Sequence, residues 1–199
     1  MALNGGVLGT LMISQFNANL MVGLMVPNLC YAISNGIVLS FLAMNTVQTF
    51  DVGIATTGVG IGKMSGINPG ALIPLMVSQF AARNIRGIYI VNIATAISTA
   101  VCIHFLANNI ATTVSIGVSV GTGVGKVYSL VAPTMTAAII SQMIAFNVRG
   151  IIHPPFADAV ATAVCLHILS MGIVNVVIAG APTPVPTIPS VGIGIGKIT

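Results

Sequence analysis

"GVGIGK" at Gly58–Lys63 returns as "GTGVGK" at Gly121–Lys126 and again as "GIGIGK" at Gly192–Lys197. Three of the chain's six positive charges stand at the ends of these glycine ladders. A nucleotide-binding loop reads G-x-x-x-x-G-K-[ST], with an early glycine and a hydroxyl after the lysine. Here the early position is Thr57, Val120 or Val191, and the lysine is followed by Met64, Val127 or Ile198. All three copies miss the motif at both ends, so phosphate binding is set aside.

Working outward from the ladders, the rest of the chain repeats with them. "ISQFNANLMVG" (Ile13–Gly23), "VSQFAARNIRG" (Val77–Gly87) and "ISQMIAFNVRG" (Ile140–Gly150) align without gaps. So do "AISNGIVLSFL" (Ala32–Leu42), "AISTAVCIHFL" (Ala96–Leu106) and "AVATAVCLHIL" (Ala159–Leu169). A fixed period of this kind is read before any local feature. The units are residues 1–66, 67–129 and 130–199, the last carrying a proline-rich insertion at 180–190.

Within the middle unit, Asn68 and Pro69 mark a helix start. "ALIPLMVSQFAARN" reads as an apolar helix ending near Arg86-Gly87, and "IYIVNIATAISTAVCIHFLANN" as a longer one ending at Asn108 and Asn109. Small residues along the second helix (Ala94, Ala96, Ser98, Ala100) let another helix approach closely. "TTVSIGVSVGTGVGK" alternates β-branched and small residues, which favours an extended segment with one bare face. The expected fold is therefore mainly α, with short extended Gly-rich arms: three tandem helical-hairpin repeats in a pseudo-threefold arrangement. Gly58, Gly60, Gly62, Gly121, Gly123, Gly125, Gly192, Gly194 and Gly196 become candidate assembly contacts, lying against other backbone or a partner subunit. Lys63, Lys126 and Lys197 would edge that contact with their head groups in water.

Charged residues are only 4% of the chain and apolar ones 56%, with a mean hydropathy of +1.07. A free monomer of this composition would expose apolar patches far larger than soluble monomers carry. Two readings remain. Residues 1–50 and 87–125 hold no charge and are long enough to cross a bilayer as helices, which makes a polytopic channel- or transporter-like membrane protein the alternative. Against it stand amides within the candidate spans (Asn28, Asn35, Asn45, Asn92, Asn108, Gln142), the absence of Trp, and no one-sided pattern of positive charge. A subunit packed among other structural subunits accounts for the same composition with fewer conflicts, and three equal units suit contacts about a threefold axis. The scattered basic residues give no nucleic-acid stripe, and the N-terminal "MALNGG" lacks a basic leader region.

Chemistry is poorly supplied. "CIH" (Cys102, His104) and "CLH" (Cys165, His167) total two thiols and two imidazoles, but helix positions two apart point about 200° from each other. The first unit has Val38 and Ser40 there, so inherited core residues are the reading preferred to zinc. Asp51 and Asp158 are the chain's only acids and occupy different places in their repeats. Asp158, following "HPPF" (His153–Phe156), reads as a helix-start acid rather than as half of a catalytic dyad. No enzyme, cofactor or metal is expected. The prolines of "GAPTPVPTIPS" (Gly180–Ser190) favour a stiff strap lying on a neighbour.

Taken together, "TVQTFDVGIATTGVGIGK", "VSIGVSVGTGVGK" and "APTPVPTIPSVGIGIGKIT" resemble the hydrophobic, Gly/Ala-rich virion structural proteins of large contractile-tailed bacteriophages. The resemblance implies a non-enzymatic part of a virion tail or baseplate, and it carries over no catalytic residue.

Overall fold

The computed structural model describes residues 3–54, 57–116, 120–148, 150, 152–180 and 190–199. Its element order is helix, helix, strand, strand, three times over. The first unit holds α1 (Gly5–Ala18), α2 (Val26–Met44), β1 (Thr46–Gly53) and β2 (Gly58–Ser65). The second holds α3 (Pro69–Ala82), α4 (Ile90–Asn108), β3 (Ile110–Ile116) and β4 (Val120–Tyr128). The third holds α5 (Ala132–Ala145), α6 (His153–Met171), β5 (Ile173–Gly180) and β6 (Ser190–Ile198).

The expectation of a mainly α chain with short arms is overturned. Each arm is a complete antiparallel β-hairpin, and the six strands pair in sequence order into a closed barrel, β6 returning to β1. The architecture is α+β, and its pieces are not free helical hairpins. A lone glycine-rich arm would leave its backbone groups unpaired when buried, and closure satisfies every neighbour.

The six helices form a ring in chain order, α1 packing on both α2 and α6. Each long helix (α2, α4, α6) runs directly into an odd-numbered strand, and each even-numbered strand leads back to the next short helix. The helix ring therefore caps one end of the barrel, and the strand pairs Gly53/Gly58, Ile116/Thr122 and Gly180/Gly192 lie at the other. Gly36 of α2 shows why small residues line these helices: a Cβ there would stand 3.1 Å from the Met76 Cα of α3. Phe41 and Phe105, both fully buried, stack edge-to-face with centroids 4.6 Å apart. Burying a side chain of this size stabilises by about 1.5–3 kcal/mol.

The short helices end alike. Leu20, Asn84 and Asn147 adopt φ values of 58°, 54° and 55°. The next residue in each case (Met21, Ile85, Val148) donates its N–H back to Phe16, Phe80 or Met143. This is a Schellman closure. The left-handed residue is not glycine, so α3 stops at Ala82, short of the Arg86-Gly87 pair that its glycine had marked. The proline-rich segment read as a strap lies, for residues 181–189, outside the described residues.

Candidate assembly interface

The bare faces of the glycine ladders turn inward. Along β2, β4 and β6 the buried alternation places Gly58, Gly60 and Gly62, Gly121, Gly123 and Gly125, and Gly192, Gly194 and Gly196 on the lumen side. The odd strands fill the lumen opposite them with Val47, Thr49 and Asp51, with Ala111, Thr113 and Ser115, and with Val174, Val176 and Ile178. Eight strands enclose an interior just wide enough for side chains to fill. Six enclose less, so alternate strands must give up theirs.

Space confirms the division of labour. A Cβ on Gly62, Gly125 or Gly196 would overlap the carbonyl oxygen of Gln48, Thr112 or Asn175 and reach 2.6–2.7 Å from the Cα of Thr49, Thr113 or Val176. On Gly60 and Gly194 it would instead collide with the Asp51 carboxyl, which accepts hydrogen bonds from Thr49 Oγ1 at 2.6 Å and Thr113 Oγ1 at 3.1 Å. The sequence reading offered these glycines to other backbone or a partner subunit. For Gly60, Gly62, Gly123, Gly125, Gly194 and Gly196, a Cβ would meet atoms of neighbouring strands of this same chain.

Two buried amides seal the junction of barrel and helix ring, and the sequence reading assigned them no such role. Asn109 follows α4; its Oδ1 accepts the Met64 N–H, and its Nδ2 donates to the Met64 carbonyl at 3.2 Å. Asn45 follows α2 and treats Ile198 the same way, accepting its N–H at 2.6 Å and donating to its carbonyl at 3.1 Å. Each side chain imitates a β-strand neighbour for the end of a strand from another repeat. The third unit has Gly172 at this place, where a Cβ would lie 2.6 Å from the Ile168 carbonyl oxygen. The available signal was an asparagine at the helix–strand junction in two of three units.

The histidines of "CIH" and "CLH" bridge repeats as well. His104 Nε2 accepts the Val131 N–H at 3.4 Å, just before α5, and His167 Nε2 accepts the Asn4 N–H at 3.3 Å, just before α1. An imidazole that accepts a backbone N–H is neutral, and burial lowers the pKa of both rings from the ordinary 6.5. Burial also pushes the Cys30 and Cys102 thiols up to about 12 and that of Cys165 to about 11, keeping them protonated. No group of three or more potential metal ligands converges among the described residues. His153 opens α6, and Asp158 meets Asn19 Nδ2 at 3.4 Å.

A pH dependence follows. The unfolded chain binds protons on these two histidines more readily than the folded one. Stability is therefore full above the unfolded value near 6.5 and is lost as the pH falls below it towards the depressed folded values. The melting temperature should drop between pH 7 and 5, and a His104→Gln/His167→Gln variant should show a flatter profile. Superimposable profiles would remove the two rings from the explanation.

Outside, the barrel inverts the usual order. Phe50, Val114 and Val177 occupy equivalent exposed positions on the odd strands, as Ile61, Val124 and Ile195 do on the even ones. One step nearer the helices stand Lys63, Lys126 and Lys197, all exposed, paired across their hairpins with Gln48, Thr112 and Asn175. At the far end of the helix ring, Leu24 and Ile88 are 95% and 86% exposed. An apolar cleft of about 550 Å³ opens there, and its lining includes the equivalent residues Leu29, Ile93 and Phe156, one from each repeat.

No family model matches this chain, and neither the curated proteins nor the solved structures yield a similar one.

Proposed function

We propose that this chain is a non-enzymatic structural subunit that sits on a threefold axis of a large assembly, with a virion tail or baseplate of a contractile-tailed bacteriophage as the particle. The observation that carries the reading is that one chain closes three α-α-β-β units around an axis while exposing equivalent apolar residues on all three sides, Phe50/Val114/Val177 and Ile61/Val124/Ile195 among them. A single copy with three like faces can be held by three copies of one neighbour without breaking their symmetry. The chain's carboxylates are committed to the lumen and to Asn19, which leaves little for acid–base chemistry.

A membrane reading draws on α2, α4 and α6, each 19 residues long and apolar enough to cross a bilayer. In the ring, however, they alternate with helices of 14 residues. At 1.5 Å per residue those reach about 21 Å, against a hydrocarbon core of about 30 Å. Around half of each long helix is already buried within the chain. The test is quantitative mass spectrometry of particles purified without detergent, where one copy is expected for every three copies of its nearest neighbour. Recovery only from detergent-extracted membranes would overturn the proposal.

A further inference from the structure

We infer that the outer wall of the barrel is a plug for a socket formed by a partner trimer, with Lys63, Lys126 and Lys197 each facing a carboxylate on the socket's rim. The inference rests on the assembly reading above and adds which surface docks and what chemistry receives it.

Charge is the first argument. The sequence holds two side-chain carboxylates. Asp51 is fully buried in the lumen on two threonine hydroxyls, and Asp158 meets Asn19 from α6. Neither stands with the lysines, whose hairpin partners are the uncharged Gln48, Thr112 and Asn175. The surface therefore presents three like charges at one level around the axis, with no acid of its own among them. The position after each ladder is lysine in all three units.

Shape is the second. Beyond the lysines, every strand presents at least one exposed apolar side chain, with Val114 70% and Ile61 63% exposed. A closed barrel has no unpaired strand edge along its wall. Its contact with a partner is therefore made by side chains, not by strand addition. An apolar wall ending in a charged ring fits the usual order of an interface, a dry centre with a polar rim.

A lipid surface is the rival occupant, and dimensions disfavour it. Among the described residues, the apolar band covers three positions on β2, from Val59 to Ile61, and five on β6, from Val191 to Ile195. At 3.3 Å per residue that is about 10–16 Å, at most about half of a hydrocarbon core. Thr122 interrupts the band on β4, at the place of Val59 and Ile193.

The experiment compares full-length wild type with Lys63→Glu/Lys126→Glu/Lys197→Glu and with the corresponding triple Gln variant, scoring circular dichroism, melting and incorporation into particles. Both variants should fold, since exposed head groups contribute little to stability. Incorporation should fall about tenfold or more for Glu, less for Gln, and wild-type binding should weaken with salt. A zero-length carbodiimide cross-link should join these lysines to Asp or Glu of one neighbour. Because Gln only removes charge, it keeps the test decisive even where Glu misfolds. Normal incorporation of both variants, with loss in Leu24→Asp/Ile88→Asp instead, would move the contact to the helical crown while leaving the assembly reading in place. Lysine-dependent flotation with phosphatidylserine vesicles would replace the socket by lipid. Absence of the chain from every particle would remove the assembly reading, and this inference with it.

Discussion

Gly125→Ala is expected to destabilise the protein by about 3 kcal/mol or more, at the upper end of what overpacking costs. The added methyl has nowhere to go. It would overlap the Thr112 carbonyl oxygen and stand 2.7 Å from the Thr113 Cα, and both belong to a backbone held in the barrel ladder. Gly123→Ala, two residues away and facing the same lumen, meets only the side chains of Val176 at 2.9 Å and of Ile178 and Ser115 at 3.4 Å. Those can shift, so its cost should stay near 1 kcal/mol, and Gly123→Val should cost more, about 1–3 kcal/mol. For a chain of this size, 1 kcal/mol moves the melting temperature by about 2–4 °C. The two alanine variants should therefore separate by several degrees. If Gly125→Ala melts with the wild type, the lumen is wider than the structure has it, and the ladder pattern needs another cause.

The second large effect concerns Asn109. Replacing it by alanine removes both partners of the Met64 backbone at once, and its own donor bond to the Phe105 carbonyl goes too. Each buried polar group left unpaired costs about 1–3 kcal/mol. A loss of about 2–6 kcal/mol follows, provided no water replaces the amide. Asn108→Ala is the control. That side chain is only half-buried and bonds back to His104 one turn earlier, so its loss should fall within about 1.5 kcal/mol. Hydrogen exchange gives the sharper reading, because the Met64 amide should exchange much faster in Asn109→Ala and unchanged in Asn108→Ala. Equal melting of the two variants would deny Asn109 its role as a strand substitute.

The helices and the ladders were legible in the sequence because they depend on local pattern: apolar runs, small residues at the crossings, glycine at every second place. The barrel was not, for a specific reason. In Thr46–Gly53 the polar Thr49 and Asp51 point in while Phe50 and Val52 point out. A reading that sends apolar residues to the core assigns such a strand to the wrong face. The inward threonines make sense only once the opposing glycines supply the room and Asp51 supplies the acceptor. The lysines were read as marking the edge of a contact. Their arrangement as a ring required knowing that the outermost strands meet. Asn45 had been weighed as evidence against a membrane, and Asn109 read as a helix end. Their hydrogen-bonding partners lie 45 and 153 residues away, beyond any local pattern.

Closure has a kinetic side. In a solenoid each repeat stacks on the last, and a partial array is already a folded object. Here Val47 must find Gly196, and His167 must find the backbone of Asn4. With only two units made, β1 and β4 would be open edges, each offering a row of unpaired donors and acceptors beside Phe50 or Val124. Such an intermediate would be among the stickiest species the chain can form, and pairings between the chain's ends are slow to find. Closure is therefore expected late in folding, with the open β1 and β4 edges as the place where aggregation competes with it.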